Sequence, residues 1–215
     1  MRITAIEPAR RRQTFEIHVD GEPACTVDAE VCLQFGLRAG DAITPAKLAA
    51  VRDAEDRRAA MAAALRLLSY RPRSERELRD RLAQKGFTPE TRDATVARLR
   101  DNGLLDDRAF ATHFTESRDR SSPRSARLIA AELLAKGVRQ PVARETASRI
   151  DDDDAAYRAA ARRARSLASL PFPDFRRRVG DFLLRRGFSY DIAAGAVSRL
   201  WAELNGATPQ ESESH

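Results

Sequence analysis

Apolar positions along this chain recur at helical spacing, and the pattern itself comes round again about every fifty residues. Between Ser74 and Phe87, Leu78 and Leu82 fall four apart on one face, Ser74 and Glu77 have the spacing of a capping box, and Lys85-Gly86 closes the stretch. Ser125 to Val138 repeats this plan, and Asp174 to Phe188 repeats it again. Aligned without gaps on Gly86, Gly137 and Gly187, the periods are 51 and 50 residues. Leu82, Leu133 and Leu183 lie four places before each glycine, and Leu78, Ile129 and Val179 eight before. Val96, Ala147 and Val197 lie ten after, and Leu99, Ile150 and Leu200 thirteen after. Each glycine is expected at positive φ, one residue past the end of a helix.

The spacing predicts three short amphipathic helices per unit. In residues 58–103 they cover about 58–70, with Met61, Leu65 and Leu68 inward, then 74–85 and 89–101. In residues 104–150 the first is capped by Asp106 or Asp107 and buries Phe110 and Phe114; the others cover about 125–136 and 140–150. In residues 151–204 the first opens at Asp151 to Asp154, and after a break at Leu170 to Pro173 the others cover about 174–185 and 189–203.

Residues 1–57 read differently. Phe15, Ile17 and Val19 alternate with Glu16, His18 and Asp20, and Asp20-Gly21 offers a hairpin turn into a strand from Pro23 to Val27. Asp28 can cap a short helix that stops at Gly36, and Thr44-Pro45 opens a longer one whose pattern runs on through Leu48, Val51 and the charged Arg52 to Arg58. The charged run from Arg52 to Arg58 reads as a solvated connector, and residues 205–215 read as a disordered tail. The expected fold is mainly α: tandem three-helix repeats in an elongated array, with a small N-terminal segment containing a β-hairpin. Such an array offers an extended surface to a polymer or a large protein rather than a pocket to a small molecule.

Composition agrees with small cores, since 33% of residues are charged and only 6% aromatic. Lys and Arg outnumber Asp and Glu by 38 to 32, a moderate excess that is compatible with polyanions without requiring them. Two cysteines make no disulfide framework, the first residues lack the apolar core of a signal peptide, and no apolar run approaches the roughly 20 residues that a bilayer span needs. A cytoplasmic protein without a membrane partner is expected.

Few residues suggest catalysis. Asp151 to Asp154 point in different directions from a helix start, which suits capping better than a cation site. His18 and His113 fall in different modules, and Cys25 and Cys32 read as small buried hydrophobes. The glycines follow helices, whereas phosphate cradles precede them. No metal, cofactor or catalytic group is expected. The remaining lead is the arginines. Arg71 and Arg73 precede the second helix of the first repeat, Arg124 and Arg127 hold similar places in the second, and Arg176, Arg177, Arg178, Arg185 and Arg186 do so in the third. Taken singly each suits an ion pair or a solvated surface; taken as a set they suit a basic stripe that contacts a polyanion such as DNA. Arg10 to Arg12 read equally well as a solubility device in a loop.

The residues from Leu67 to Ser74, Glu77-Leu78, Leu82 to Phe87, Gly103 to Asp107, Phe110-Ala111, Ile129, Glu132-Leu133 and Lys136 to Val138 resemble the RecX family, bacterial regulators of the RecA recombinase. The likeness covers residues 59–150 well, and the third repeat and the N-terminal part agree in placement and length. It implies a non-enzymatic protein, acting as a monomer, that lies in the groove of a RecA–DNA filament and limits ATP hydrolysis and strand exchange, by blocking growth or destabilising the filament. The matching motifs are structural and place no contact surface on this chain. Two other readings follow from the residues themselves: a protein that binds single- or double-stranded DNA directly, and an enzyme whose residues form no recognisable motif.

Overall fold

Alternating apolar and polar residues near the start build a three-stranded antiparallel meander, β1 (Ile3–Pro8), β2 (Thr14–Val19) and β3 (Glu22–Asp28), in that spatial order. The computed structural model describes residues 1–10 and 13–206; Arg11, Arg12 and the tail from residue 207 lie outside the described residues. The expected hairpin is β2 and β3, and β1 adds a strand that the alternation did not single out. Asp20 (φ 52°) and Gly21 (φ 92°) both take the left-handed conformation that a tight two-residue hairpin turn demands. Asp28 caps α1 (Ala29–Phe35) by accepting from the Glu30 N–H, and Gly36 ends it at φ 57°.

α2 (Pro45–Tyr70) begins at Thr44, whose hydroxyl accepts from the Lys47 N–H, and runs unbroken for 26 residues. The charged run from Arg52 to Arg58, expected on this helix, lies in its middle, and the boundary expected at 57/58 falls inside the helix. No glycine or proline interrupts the run, and its charges are anchored locally. Glu55 accepts from the Asp28 N–H at 2.8 Å, Arg58 pairs with Glu55 at 2.8 Å and Asp28 at 3.1 Å, and Arg52 donates to the Ala24 carbonyl at 2.9 Å. Farther along, Ala60 and Ala64 are the buried positions, whereas Leu65, expected inward, is 43% exposed.

The chain divides into two compact units, one made of Met1–Arg71 and Leu78–Leu105, the other of Pro72–Glu77 and Asp106 onward. In the first, the sheet, α1 and the start of α2 share a core around Ile17, Val27, Val31 and Val51. A second core there joins the end of α2 to α3 (Glu75–Ala83), from Leu78 on, and α4 (Pro89–Asp101) through Ala64, Leu78, Leu82, Val96 and Leu99. In the second unit, α5 (Asp107–Ser121), α6 (Ala126–Ala135) and α7 (Gln140–Ala147) enclose Phe110, Ile129, Leu133 and Ala143. There too α8 (Asp152–Ser166), α9 (Phe172–Arg185) and α10 (Tyr190–Leu204) enclose Phe175, Val179, Leu183, Val197 and Leu200, and Ile150 packs against both cores.

The fifty-residue period has a backbone cause. Gly86, Gly137 and Gly187 take φ of 89°, 87° and 88°, and the N–H two residues past each helix end returns to the carbonyl of the leucine four before the glycine. Those bonds run from Phe87 to Leu82 (3.3 Å), Val138 to Leu133 (3.1 Å) and Phe188 to Leu183 (3.3 Å). This is the Schellman helix end, which needs a residue at positive φ and an apolar contact across the turn. The same leucines fill the cores, so one position serves both the helix stop and the packing.

Within the second unit one joint is built twice. At Ser74, the hydroxyl accepts from the Glu77 N–H (3.1 Å) and donates to the carbonyl of Lys136 (2.6 Å), the last residue before Gly137. The Asp107 carboxylate accepts from the Glu75 N–H at 2.8 Å. Fifty-one residues on, the Ser125 hydroxyl accepts from the Leu128 N–H (3.2 Å), its backbone N–H donates to the carbonyl of Arg186 (3.1 Å), and Asp152 accepts from the Ala126 N–H at 2.7 Å. Each helix start is thus satisfied by the end of a later helix and by an aspartate that opens the following repeat. α9 departs from the pattern: it starts on Pro171 with no side-chain cap, and Pro173 has no N–H to satisfy.

Candidate functional site

The nine arginines differ in their surroundings. Arg73 is held by Glu77 at 2.5 Å with only 9% of its side chain exposed. Arg124 is paired with Glu132, which also accepts from Arg118 at 3.2 Å. Arg186 donates to the Ser122 hydroxyl (3.1 Å) and the Pro123 carbonyl (3.0 Å), and its guanidinium lies 4.5 Å from the Phe182 ring centre. Burial pushes the pKa of both Arg124 and Arg186 down, and for Arg124 the neighbouring Arg118 and Arg186 add to the effect. These three guanidinium groups serve the fold. The other six are exposed. Arg127 reaches the Gly187 carbonyl at 3.3 Å, Arg177 pairs with Asp174 at 3.0 Å, and Arg176 lies 6.0 Å from the Phe172 ring centre.

Three of these six, Arg127, Arg176 and Arg177, line a pair of equivalent grooves together with Arg144. Between α6 and α7 a groove of about 360 Å³ is lined by Ala126, Arg127, Ala130, Leu134, Arg144 and Ala147. Fifty residues on, between α9 and α10, a groove of about 410 Å³ is lined by Asp174, Arg176, Arg177, Asp181, Leu184 and Val197. The two match position by position: Arg176 stands where Ala126 does, Arg177 where Arg127 does, and Leu184 where Leu134 does. Leu134 and Leu184 are 40% and 43% exposed, large apolar side chains in grooves edged by Arg127 and Arg144 in one and by Arg176 and Arg177 with Asp174 and Asp181 in the other. In the first repeat, Ala83 takes the place of that leucine, and Arg79 of α3 spans to Asp93 of α4 at 2.8 Å.

The second unit also contains a basic cleft of about 710 Å³ between the end of α5, α8 and α9. Arg120, Arg158, Arg162, Arg163 and Arg186 line it, together with Ser121, Ser122 and Ser166. Arg186 alone among these belonged to the expected set. The others were missed because Arg158, Arg162 and Arg163 sit on the first helix of the third repeat, while attention to turns favoured residues before the second helix. The signal was present in the run from Arg158 to Arg165, where arginines recur three and four apart on one helical face.

Catalytic features are sparse. Cys25 on β3 and Cys32 on α1 are half-buried, and burial pushes both thiols up from their usual pKa, away from thiolate reactivity. A cleft of about 1220 Å³ in the first unit mixes Arg58, Arg66 and Lys85 with Glu16, Asp28 and Glu55 and so carries no single sign of charge. Among the described residues no helix is long and apolar enough to cross a membrane.

Comparison with known proteins agrees with the repeat architecture. Family models described as the first, second and third three-helix domains of RecX match residues 60–99, 106–146 and 151–197. A regulatory protein RecX of Levilactobacillus brevis is 31% identical over 98% of this chain and 79% of its own length. That of Bacillus subtilis is 26% identical over 98% of this chain and 81% of its own. A crystal structure of regulatory protein RecX superimposes with a TM-score of 0.65 at 23% identity, covering 94% of this chain and 98% of the other. By its three matched domains and by its likeness to these relatives along nearly all of its length, the chain belongs to the RecX family of regulatory proteins.

Proposed function

We propose that this protein binds the filament that RecA recombinase forms on DNA and slows its ATP hydrolysis and strand exchange, acting as a monomer in the cytoplasm to moderate recombination and repair, including the SOS response. The observation that carries this reading is the pair of equivalent grooves, at Leu134 and Leu184, each rimmed by arginine. A chain that presents one apolar, arginine-bearing groove twice in register suits a partner that itself repeats, as the identical subunits of a filament do. The action needs binding alone, with no catalysis.

The test is ATP hydrolysis by a cognate RecA on single-stranded DNA. Added well below the concentration of RecA monomers, the protein is expected to slow turnover, because one molecule acting on a filament end or groove affects many subunits. Excess DNA is expected not to restore activity. Full restoration by excess DNA would mean simple competition for the strand and would overturn the filament reading.

A second expectation concerns Arg176, Arg177 and Arg178. All three are exposed, and the apolar side of α9 is formed by Phe175, Val179 and Leu183 instead. Changing all three to glutamate is expected to leave the unfolding midpoint nearly unchanged, since exposed pairs such as Arg177–Asp174 are worth about 0–1 kcal/mol. Inhibition of RecA should weaken and its salt dependence flatten. A folded triple variant that inhibits like the parent, with the same salt response, would move the contact away from α9.

A further inference from the structure

The basic cleft between α5, α8 and α9 is distinct from the paired grooves. Its lining has no carboxylate: the charged groups are the guanidinium groups of Arg120, Arg158, Arg162, Arg163 and Arg186, joined by serine hydroxyls. Three of the five are held in place by the fold. Arg158 is fixed by Asp154 (2.6 Å), by the Asp119 carboxylate (2.6 Å) and by the Asp119 carbonyl (2.7 Å). Arg163 and Arg186 lie 5.3 and 4.5 Å from the centre of the Phe182 ring. Arg120 and Arg162 are exposed and without such anchors.

We infer that this cleft is a phosphate-binding site that receives the phosphodiester backbone of one nucleic-acid strand, whether free or as the ridge of a duplex. Fixed guanidinium groups present N–H pairs in the planar geometry that phosphate oxygens accept, and small hydroxyls are common companions in backbone contacts. The two unanchored arginines close on the strand once it is seated. The ring that could have stacked on a base is covered by arginine, so contact is with the backbone and carries little sequence preference. An acidic protein surface is the lesser fit, because side-chain carboxylates are scattered, whereas a backbone offers a continuous row of phosphates to a row of arginines. The inference goes beyond the filament reading and does not depend on it.

The experiment uses the full chain without any recombinase. Fluorescence anisotropy is recorded with a labelled 15-nucleotide strand of mixed sequence and with the corresponding duplex, across a salt series. Arg120→Glu with Arg162→Glu is expected to weaken binding at least about tenfold and to make the log–log salt slope shallower by about 1.4 on the single strand and about 1.8 on the duplex, if each arginine meets one phosphate. The arm bound more tightly identifies the source of the strand. A charge-matched control, Arg38→Glu with Arg57→Glu, alters two exposed arginines of the first unit and should bind like the parent. Equal loss in both double variants would reduce the effect to net charge and overturn the site. So would unchanged oligonucleotide binding, and if that came with weakened RecA inhibition the cleft would be assigned to an acidic protein surface. Absence of binding to either nucleic acid by the parent would also overturn it, while leaving the filament reading to its own assay.

Discussion

Replacing Gly187 by valine is expected to destabilise the second unit by about 3–5 kcal/mol, and Gly137→Val by a similar amount, whereas Gly86→Val should cost only about 1–2 kcal/mol. All three glycines sit at positive φ, so each substitution incurs the left-handed backbone penalty. Only two of them also sit against a neighbouring helix start. A Cβ on Gly187 would lie 2.6 Å from the Ser125 hydroxyl and 2.7 Å from Leu128 Cβ, and one on Gly137 would lie 2.5 Å from Arg76 Cβ; on Gly86 it would meet nothing within 4 Å. Atoms so near the backbone cannot swing aside, so helix starts must shift. Thermal melts should separate the variants by several degrees, at about 2–4 °C per kcal/mol for a chain of this size. Equal loss at all three sites would leave the backbone conformation as the whole cause and remove the close approach from the account.

That contrast locates the joint between repeats in a few atoms. Gly137 and Gly187 let a helix start approach closely enough for the carbonyls of Lys136 and Arg186 to accept from Ser74 and Ser125. Asp107 and Asp152 then satisfy the next N–H along. A buried helix end without such partners would leave several orphan donors, each costing about 1–3 kcal/mol. In the third repeat Phe175 stands where Ser74 and Ser125 do, and α9 instead starts on Pro171 and Pro173.

Much of this was legible beforehand because it rests on local chemistry. The glycines, the leucines four before them and the serine caps are set by one helix and its ends, so their period could be read directly. The partners of those caps could not, since Asp107 and Asp152 looked like ordinary residues at a helix start until the fold brought them to the preceding repeat. The run from Arg52 to Arg58 misled for a related reason: charge density suggests solvent, but Glu55 and Arg58 find their partners on β3 and its end, far away in sequence. The arginines divided the same way. Position before a helix marked Arg73, Arg124 and Arg186 as surface groups, and only their partners show that they belong to the fold.

The sharpest test of that division is Glu132. On α6 its carboxylate accepts from Arg118 and Arg124, with 19% of the side chain exposed, against 36% and 30% for the two arginines. Arg186 is near enough that its charge, like that of Arg118, helps to push the Arg124 pKa down. Glu132→Ala would therefore leave three partly buried cations facing one another without an anion. A fully buried pair broken in this way costs about 3–5 kcal/mol and an exposed one about 0–1, so this half-exposed cluster should lose about 2–3 kcal/mol in urea unfolding. High salt should restore part of that loss by screening the repulsion, which would not happen if the cost were packing alone. Arg178→Ala, at an exposed position, should stay within about 0.5 kcal/mol of the parent. If Glu132→Ala proves as mild as Arg178→Ala, the cluster is solvated after all, and Arg124 returns to the residues available to a partner.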